Sequence, residues 1–266
     1  MMEDGATEQG SVTAVLRIGE TVRRPRRRWT PAVHALLEHL EAVGFSGAPR
    51  AMGTDQEGRE ILSFLAGDVA MTPWPEVLLS AAGIKAVGKW LRDYHAAVRH
   101  FRPPDDARWY APDAAWRPGL VVRHGDLGMW NSVWRDGGLI GFIDWDFAEP
   151  GEAVDDLAQL AWYAVPLRPD EVAARCGFTG GVPRAERLRL LCAAYGGGFA
   201  PSEVLAALRR LQLREAARVR EHGAAGLAPW DVFLRRGDAE EIDAERAWLG
   251  LRGREFQLPP VVTSYR

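Results

Sequence analysis

The sequence has little of what would place it in a membrane, in a disulfide-bonded framework or on nucleic acid. It contains two cysteines, Cys176 and Cys192, without the spacing of a metal site, and we interpret both as ordinary thiols. It has no run of about 18 apolar residues, and its net charge of −3 gives no general attraction to nucleic acid or anionic lipid. The N-terminal residues lack the basic and apolar regions of a signal peptide. We therefore expect a cytoplasmic protein with neither nucleic acid nor membrane as a partner, and the oligomeric state stays open.

Two short polar motifs lie in the middle of the chain. The first is HGDLGMWN at 124–131, of the form H-x-D-x-x-x-x-N, and the second is IDWD at 143–146, at the end of an apolar run. A carboxylate in the first motif can accept the proton of an attacking hydroxyl, and an amide oxygen five residues later can ligate a metal ion. A carboxylate after an apolar strand is a suitable second magnesium ligand. The motifs predict a phosphoryl-transfer site with Asp126 as the base and Asn131 and Asp144 as metal ligands.

The residues between the motifs predict a β-hairpin. The segment 132–134 and the apolar segment 139–143 read as strands, and Asp136-Gly137-Gly138 between them is typical of a tight turn. Gly125 and Gly128 favour a tight loop around Asp126. Such a hairpin would bring Asp144 back beside Asn131.

At these positions the chain resembles the aminoglycoside phosphotransferase and choline kinase family, the small-molecule branch of the protein-kinase-like fold. That family typically has H-G-D-L-H-x-x-N in the loop and I-D-W or I-D-F at the end of the metal strand. The matching positions here are His124, Asp126, Asn131, Asp144 and Trp145. The resemblance implies an α+β fold of two lobes, a small β-rich N-terminal lobe and a larger, mainly α-helical C-terminal lobe. It also implies a transferase that uses ATP or GTP with magnesium to phosphorylate a hydroxyl of a small molecule, as in antibiotic resistance by aminoglycoside phosphorylation.

Other site residues follow from the same resemblance. The family's second histidine is Gly128 here, a difference that touches the shape of the loop rather than the base or the metal ligands. His124 is expected to organise the loop rather than to transfer a proton. In the segment VDDLA at 154–158, Asp156 matches an aspartate that supports the catalytic loop, and Asp155 is the neighbouring alternative.

Residues 1–68 are predicted to form the nucleotide-binding lobe, with a hinge near 63–68, and residues 69–266 the catalytic and acceptor-binding lobe. Gly10 and Ser11 immediately precede a predicted strand and are candidates for phosphate contact. By resemblance, the main chain of Ser63 and Leu65 would bond the edge of the adenine ring.

The cation that holds the α and β phosphates is usually a lysine, but here the second predicted strand ends Val22-Arg23-Arg24-Pro25. An arginine can hold phosphate oxygens in a fork, and the family's pattern favours Arg23 over Arg24. The following helix, over 32–43, should present a glutamate to this cation. Three possibilities stay open: His34 replaces the carboxylate, Glu38 reaches the cation, or the pair is absent.

The acceptor is the least determined part of the prediction. Five acids near the C-terminus could hold a cationic antibiotic, although a solvated helix face is the better interpretation: Asp238, Glu240, Glu241, Asp243 and Glu245. A catalytically silent nucleotide-binding or immunity protein on the same fold is the main alternative function. A glycosyltransferase that uses Asp144-Trp145-Asp146 as a D-x-D motif would not need the upstream loop. A protein kinase would need a D-F-G motif and an activation loop, which the sequence lacks.

Overall fold

The computed structural model describes residues 6–9, 14–196 and 198–256, so Gly10 and Ser11 lie outside the described residues. The chain divides into two compact units. The first contains residues 1–71 and 89–156, and the second contains residues 72–88 and 157–266. The predicted lobe boundary at residue 68 lies close to the first break, at Met71, but the chain returns to the first unit at Lys89. The lobe boundary therefore stays a prediction.

An antiparallel five-stranded sheet forms the N-terminal part of the first unit, in the order β1-β2-β3-β5-β4. Its strands are β1 (Ala6–Gln9), β2 (Ala14–Ile18), β3 (Thr21–Pro25), β4 (Ala51–Thr54) and β5 (Arg59–Ser63). The two strands predicted after Ser11 are present as β2 and β3, which form a hairpin, and Gly19 takes a positive φ of 57° in its turn. Because β3 lies between β2 and β5, its residues pair on both sides, and Arg24 stands opposite Glu60.

Helix α1 (Thr30–Ala42) follows this sheet and confirms the helix predicted over 32–43. Its apolar residues recur at helical spacing, and Leu36, Leu37 and Leu40 are all buried. Val43, the last residue of the predicted pattern, is 50% exposed because the helix has ended before it.

The predicted hairpin between the two motifs is present in the first unit. It consists of β8 (Ser132–Arg135) and β9 (Gly138–Phe142), and β8 also pairs with the short strand β6 (Asp68–Val69). Its two-residue turn holds Asp136 at φ 51° and Gly137 at φ 75°, the backbone of a type I′ turn. Strand β7 (Val121–Arg123) leads into the first motif and pairs with β10 (Glu149–Gly151), which follows the second.

Helices make up the second unit, and α3 and α4 each have residues in both units. The bounds are α2 (Glu76–Leu79), α3 (Ala81–Val98), α4 (Ala153–Ala164), α5 (Asp170–Arg175), α6 (Arg184–Tyr195), α7 (Pro201–Ala224), α8 (Trp230–Arg236) and α9 (Asp238–Arg252). The apolar residues of 77–101 recur at helical spacing, which predicts one helix, but Ser80 divides the segment into α2 and α3. The Ser80 hydroxyl accepts a hydrogen bond from Gly83 N at 3.3 Å and so caps α3. Within the described ranges, no helix combines the length and the apolar character needed to cross a bilayer.

Candidate active site

The loop of the first motif is shaped by a glycine that packs against Phe147, directly after the second motif. Gly125 has a φ of +81°, and a Cβ atom added to it would lie 2.0 Å from the carbonyl oxygen of Phe147. A side chain at this position would therefore meet both backbone strain and a direct clash. The requirement for glycine between His124 and Asp126 is consequently a packing requirement of this loop.

His124 supports the loop from within the core. Its side chain is fully buried, and its ring lies against the indole of Trp145, with 4.4 Å between the ring centroids. Burial lowers the pKa of His124 to about 4, so the ring is neutral near pH 7. Its Nδ1 atom accepts a hydrogen bond from Asp126 N at 3.2 Å. Trp145 is itself anchored, because its Nε1 atom donates to Phe142 O at 3.0 Å. These contacts fit the organising role expected for His124, and they place Trp145 as a structural support of the same loop.

Asp156, on α4, receives the backbone of the same loop. Its carboxylate accepts hydrogen bonds from His124 N at 2.9 Å and from Gly125 N at 3.3 Å. His95 Nε2, on α3, lies 3.2 Å from Asp156 Oδ2. Although burial opposes its ionisation, these donors hold the pKa of the fully buried Asp156 below its ordinary value. Of the two candidates, Asp156 and Asp155, it is Asp156 that makes these bonds.

Asp126 and Asn131, the two ends of the first motif, are joined directly. Asn131 Nδ2 donates to Asp126 Oδ2 at 2.8 Å and to the Asp126 carbonyl oxygen at 3.0 Å. Because the amide nitrogen is directed at Asp126, Oδ1 is the atom of Asn131 that is suited to ligate a cation. Asn131 is 5% exposed, so its orientation is set by surrounding protein atoms.

The environment of Asp126 tunes its acidity toward neutral pH. Burial is the largest cause and the nearby negative charge of Asp144 the next, and together they raise the pKa of Asp126 to about 7. Hydrogen bonds from Asn131, Trp130 and the Gly128 backbone act in the opposite direction. A carboxylate with a pKa near the working pH can both accept and release a proton, which is the property that general-base catalysis requires.

The hairpin brings Asp144 next to Asn131, as the sequence predicts. Ile143 N donates to Asn131 O at 2.8 Å, so the residue before Asp144 is bonded to the end of the first motif. Asp144 itself adopts a left-handed backbone conformation, with φ 59° and ψ 71°. This conformation is uncommon for a residue other than glycine, and such residues cluster at functional sites.

Arg24, from β3, is the cation of this site. Its Nη1 atom donates to Asp144 Oδ1 at 3.1 Å, and its Nη2 atom donates to Asp146 Oδ1 at 2.7 Å. Its Nε atom lies 2.6 Å from Glu60 Oε1, on the neighbouring strand β5. Burial lowers the pKa of Arg24, but the three carboxylates outweigh that effect and raise it above its ordinary value.

This geometry places Arg24, and not Arg23, beside Asp144, and which of the two holds phosphate stays a prediction. Arg23 points to the other side of β3, where its nearest carboxylate contact is Asp55 Oδ2 at 3.8 Å and its Nη1 atom donates to Thr21 Oγ1 at 2.5 Å. Strand alternation gives adjacent residues opposite faces, so only one of the two arginines can face Asp144. Phosphate binding by Arg24 stays a prediction.

The open question of the partner carboxylate has a specific answer in the described residues. Glu60, rather than Glu38 on α1, is the residue that pairs with Arg24, and its Oε2 atom lies 2.9 Å from His34 Nε2. His34 thus takes the position on α1 that was expected for a glutamate. The carboxylate that pairs with Arg24 comes instead from Glu60 on β5. Glu60 was missed because an acid at the start of a strand gives no signal until the register of β3 and β5 is known.

Sequence reasoning also missed Tyr110. Tyr110 is 3% exposed, and burial together with the charges of Asp146, Asp144 and Asp126 raises its pKa. Its ring packs against that of Phe147 in a tilted arrangement, with 4.1 Å between centroids. The segment around Tyr110 carries no motif that would have identified it. Asp146 was visible as the second acid of the D-W-D segment, but its salt bridge to Arg24 was not predicted.

The donor set suits magnesium only as part of a larger coordination shell. Among the described residues, no three His, Cys, Asp or Glu side chains form a self-contained metal site. Three carboxylates surround the single guanidinium of Arg24, which leaves an excess of negative charge beside the half-exposed Asp144. Hard oxygen donors with excess negative charge fit a magnesium ion that completes its coordination with phosphate and water oxygens.

The predicted acceptor acids on α9 are engaged elsewhere in the second unit. Glu245 is buried and bonds Trp162 and Arg168, and Glu241 also pairs with Arg168. Glu240 and Asp243 pair with Arg220, and Asp238 pairs with Arg236. These ion pairs favour the interpretation of the cluster as a charged helix face.

The nucleotide contacts predicted for the main chain of Ser63 and Leu65 stay predictions. Ser63 N donates to Arg50 O at 3.0 Å, and Phe64 N donates to Glu20 O at 2.9 Å. These bonds extend the sheet to the start of the proposed hinge.

The family model of the phosphotransferase enzyme family (APH) matches residues 111–191, which include both motifs. The trifolitoxin immunity protein of Rhizobium leguminosarum bv. trifolii is 37% identical over 221 residues, covering 78% of this chain and 83% of that protein. A choline/ethanolamine kinase family protein from Mesorhizobium loti is 15% identical with a TM-score of 0.60, over 96% of this chain and 92% of its own. The GDP and kanamycin complex of APH(2″)-IIIa is 13% identical with a TM-score of 0.59, over 93% and 94% of the two chains.

These similarities confirm the protein-kinase-like fold and its two-lobed α+β class. The sequence relative extends over more than three quarters of both proteins, well beyond the short motifs. The chain therefore belongs to the phosphotransferase enzyme family that includes the aminoglycoside phosphotransferases.

Proposed function

We propose that this protein is a magnesium-dependent kinase that transfers the γ-phosphoryl group of ATP or GTP to a hydroxyl of a small molecule. The observation that carries the proposal is the hydrogen bond from Asn131 Nδ2 to Asp126 Oδ2. It joins the candidate base to a residue whose main chain is bonded to Ile143, directly before Asp144. Base and metal ligands thereby occupy one small region of the first unit.

Asp126 is proposed to accept the proton of the attacking hydroxyl. A bond forms between the acceptor oxygen and the γ-phosphorus, while the bond from the γ-phosphorus to the bridging oxygen of the β-phosphate breaks. The hydroxyl proton passes to Asp126. Its pKa of about 7 makes this transfer feasible at neutral pH. Asn131 fixes the carboxylate, and His124 and Asp156 fix the loop that carries it.

Asn131 and Asp144 are the proposed magnesium ligands. When bound, the ion would supply charge neutralisation to the phosphate oxygens. Arg24 orients Asp144 and is proposed to contact the phosphates, as are Gly10 and Ser11. The main chain of Ser63 and Leu65 is proposed to bond the base of the nucleotide.

We propose an antibiotic or toxin as the hydroxyl acceptor, with aminoglycosides as the first compounds to test. Support comes from one structural relative that binds kanamycin and from a sequence relative that is named an immunity protein. A cytoplasmic location, where ATP and GTP are available, is part of the same proposal.

A second candidate function is a catalytically silent immunity or binding protein. The observation that favours it is Arg24, whose guanidinium is occupied by Glu60, Asp144 and Asp146. A phosphate-binding cation held by three carboxylates is less disposed to leave them for a nucleotide. The name of the immunity relative is compatible with this candidate as well.

The test is a screen for magnesium-dependent ADP or GDP release with aminoglycosides, other antibiotics and amino alcohols as acceptors. Calorimetry with the magnesium nucleotide is run in parallel on the wild type, Asp126→Asn and Asp144→Asn. We expect turnover with at least one acceptor, its loss in Asp126→Asn with nucleotide affinity retained, and weaker binding of the magnesium nucleotide in Asp144→Asn. Nucleotide binding without turnover on any acceptor would favour the silent candidate. Undiminished turnover in Asp126→Asn would exclude that residue as the base.

A further inference from the structure

A chain of polar contacts leads from helix α1 to the candidate metal ligand Asp144. It begins at His34, whose Nε2 atom lies 2.9 Å from Glu60 Oε2. The other carboxylate oxygen of Glu60 lies 2.6 Å from Arg24 Nε, and Arg24 Nη1 donates to Asp144 Oδ1 at 3.1 Å. All four residues belong to the first unit, and the first three come from three separate elements, α1, β5 and β3.

Glu60, in the middle of this chain, is held from both sides. Its side chain is 1% exposed, so its carboxylate is satisfied by protein groups rather than by solvent, and each oxygen faces one partner, His34 or Arg24. An ionised carboxylate only accepts hydrogen bonds, so the Nε2 atom of His34 is the donor. Loss of this donor would remove the bond to one oxygen of a buried carboxylate and would leave its orientation to Arg24 alone.

The guanidinium of Arg24 links the position of Glu60 to that of Asp144. Its nitrogen atoms lie in one rigid plane, so the contact of Nε with Glu60 restricts the directions of Nη1 and Nη2. These two atoms donate to Asp144 and Asp146. The side chain of Asp144 is 45% exposed, so protein atoms surround only part of it, and the bond from Arg24 restrains it. We therefore expect a displaced Glu60 to change the direction in which Asp144 presents its oxygens.

A second histidine on α1 makes a contact of a different kind. His39 lies five positions after His34, and its Nε2 atom lies 3.0 Å from the main-chain oxygen of Ala97. Its ring lies 5.0 Å from that of Phe101, between centroids. His39 thus fixes the helix to its surroundings through main chain and ring packing, whereas the bond of His34 is directed at a buried charge that is shared with Arg24.

We propose that His34 is a positioning residue, which holds Glu60 and through it the guanidinium of Arg24, so that the carboxylate of Asp144 is directed for binding of the magnesium nucleotide. This inference rests on the proposed function in one respect, the role of Asp144 as a magnesium ligand. Its structural part, the coupling of His34 to Asp144, can be tested without a nucleotide.

Three variants separate the hydrogen bond from the rest of the side chain. His34→Leu removes the donor, and His34→Gln keeps an N–H donor at the reach of Nε2. His39→Leu is the matched control, since it removes a histidine bond of nearly the same length from the same helix. Each variant and the wild type are titrated by calorimetry with ATP or GTP, whichever binds the wild type more tightly, once with magnesium and once with EDTA. The ratio of the two affinities measures what magnesium adds to binding.

We expect this ratio to fall roughly 10-fold in His34→Leu, at the lower end of the effect typical for residues that orient a metal ligand, because His34 acts through two further side chains. His34→Gln should restore most of the ratio, and His39→Leu should leave it unchanged. An unchanged ratio in His34→Leu would overturn the inference, as would a fall of the same size in His34→Gln or in His39→Leu. If His34→Leu does not fold, His34→Asn takes its place, because its shorter amide stops short of Glu60.

A double-variant comparison at pH 7 tests the coupling in the protein without nucleotide. His34 bonds Glu60 and Asp144 bonds Arg24, and changes at sites that do not interact usually add in their effect on stability. If Glu60 and Arg24 connect the two sites, His34→Leu should lower the urea midpoint less in the Asp144→Asn background than in the wild type. The shift caused by His39→Leu should be the same in both backgrounds.

The two measurements distinguish failure of the inference from failure of the proposed function. A protein that binds no magnesium nucleotide but shows this dependence on the background would support the positioning role of His34 and count against the proposed function. Equal shifts of His34→Leu in the two backgrounds would overturn the inference, and turnover with an acceptor would then still support the proposed function.

Discussion

Arg24 and Asp144, 120 positions apart in the sequence, form an ion pair in which Nη1 and Oδ1 are 3.1 Å apart. The arginine side chain is 8% exposed and the aspartate side chain 45%, so the pair joins a buried cation to a carboxylate that solvent can reach. Because Glu60 and Asp146 also contact Arg24, one guanidinium is shared by three carboxylates. The N-terminal sheet and the end of β9 are thereby fixed to one another by charge.

Replacement of Arg24 should therefore destabilise the protein. Arg24→Met leaves buried carboxylates without their cation, and breaking a buried ion pair in this way typically costs about 3–5 kcal/mol. We expect a loss of that order in the free energy of unfolding, measured by urea denaturation at pH 7.

The matched control is Arg23→Met on the same strand. Its contact with Asp55 is 3.8 Å long, so we expect a cost of about 1 kcal/mol or less. Equal losses in the two variants would contradict the assignment of Arg24 as the cation that faces Asp144.

The raised pKa of Asp126 predicts a pH-dependent difference in stability. Its value of about 7 in the folded protein exceeds the ordinary 3.8, so the stability linked to the protonated form is present below pH 3.8 and is lost as the pH rises through about 7. Asp126→Asn cannot ionise and avoids that loss. We expect the variant to unfold at higher urea concentration than the wild type at pH 8, with the difference shrinking toward pH 4.

A companion variant tests the cause of this shift. Removing the negative charge of Asp144 should lower the pKa of Asp126. At pH 8 the difference in stability between Asp144→Asn and the double variant Asp144→Asn, Asp126→Asn should therefore be smaller than the difference between the wild type and Asp126→Asn. A difference that does not change with pH in either background would show that Asp126 is not ionising near neutrality.

The loop that carries Asp126 and the following hairpin could be predicted from sequence because their signals are local. Glycines beside Asp126, the turn at Asp136-Gly137 and an apolar strand before Asp144 each act over a few residues. These signals are decided by backbone chemistry within one supersecondary unit. Asp156, on α4, was instead assigned through the family resemblance, with Asp155 as the alternative.

The charge network around Arg24 could not be predicted in the same way. Which of Arg23 and Arg24 faces the site depends on a strand register, in which one residue of slip exchanges the two faces. The pairing of Glu60 with Arg24 depends on β3 lying next to β5. This adjacency depends in turn on the order of the strands in the sheet. Tyr110, on which the charges of these carboxylates act, comes from a segment with no regular pattern. Such long-range contacts leave no trace in local spacing.

Gly125 should be far less tolerant of alanine than Gly119, although both have positive φ, at 81° and 93°. Alanine at either position adds backbone strain of about 1 kcal/mol. At Gly125 the new Cβ would also lie 2.0 Å from Phe147 O, whereas at Gly119 nothing lies within 4 Å. We expect Gly125→Ala to displace the loop, abolish phosphoryl transfer and lower the melting temperature more than Gly119→Ala, as measured by calorimetry and the turnover assay. A Gly125→Ala variant as active as Gly119→Ala would contradict the packing described for the loop.

Asp156 should be needed for the position of the loop that carries Asp126. Asp156→Asn replaces one acceptor oxygen by a donor where the backbone N–H groups of His124 and Gly125 and the ring of His95 converge. A buried donor that faces another donor lowers the free energy of unfolding by about 1–3 kcal/mol. A displaced loop should also lower kcat by on the order of 10²-fold while leaving nucleotide affinity largely intact.

The pH dependence of this loss separates Asp156 from its neighbour. Because the pKa of Asp156 is lowered in the folded protein, its contribution to stability is present above about pH 4 and is lost as the pH falls through the folded value. The free energy of unfolding that Asp156→Asn loses relative to the wild type should therefore be constant between pH 5 and 8 and shrink below pH 4. Asp155→Asn is the comparison, since the three bonds to the loop and to His95 belong to Asp156. A larger loss of kcat in Asp155→Asn would reassign the supporting role to Asp155.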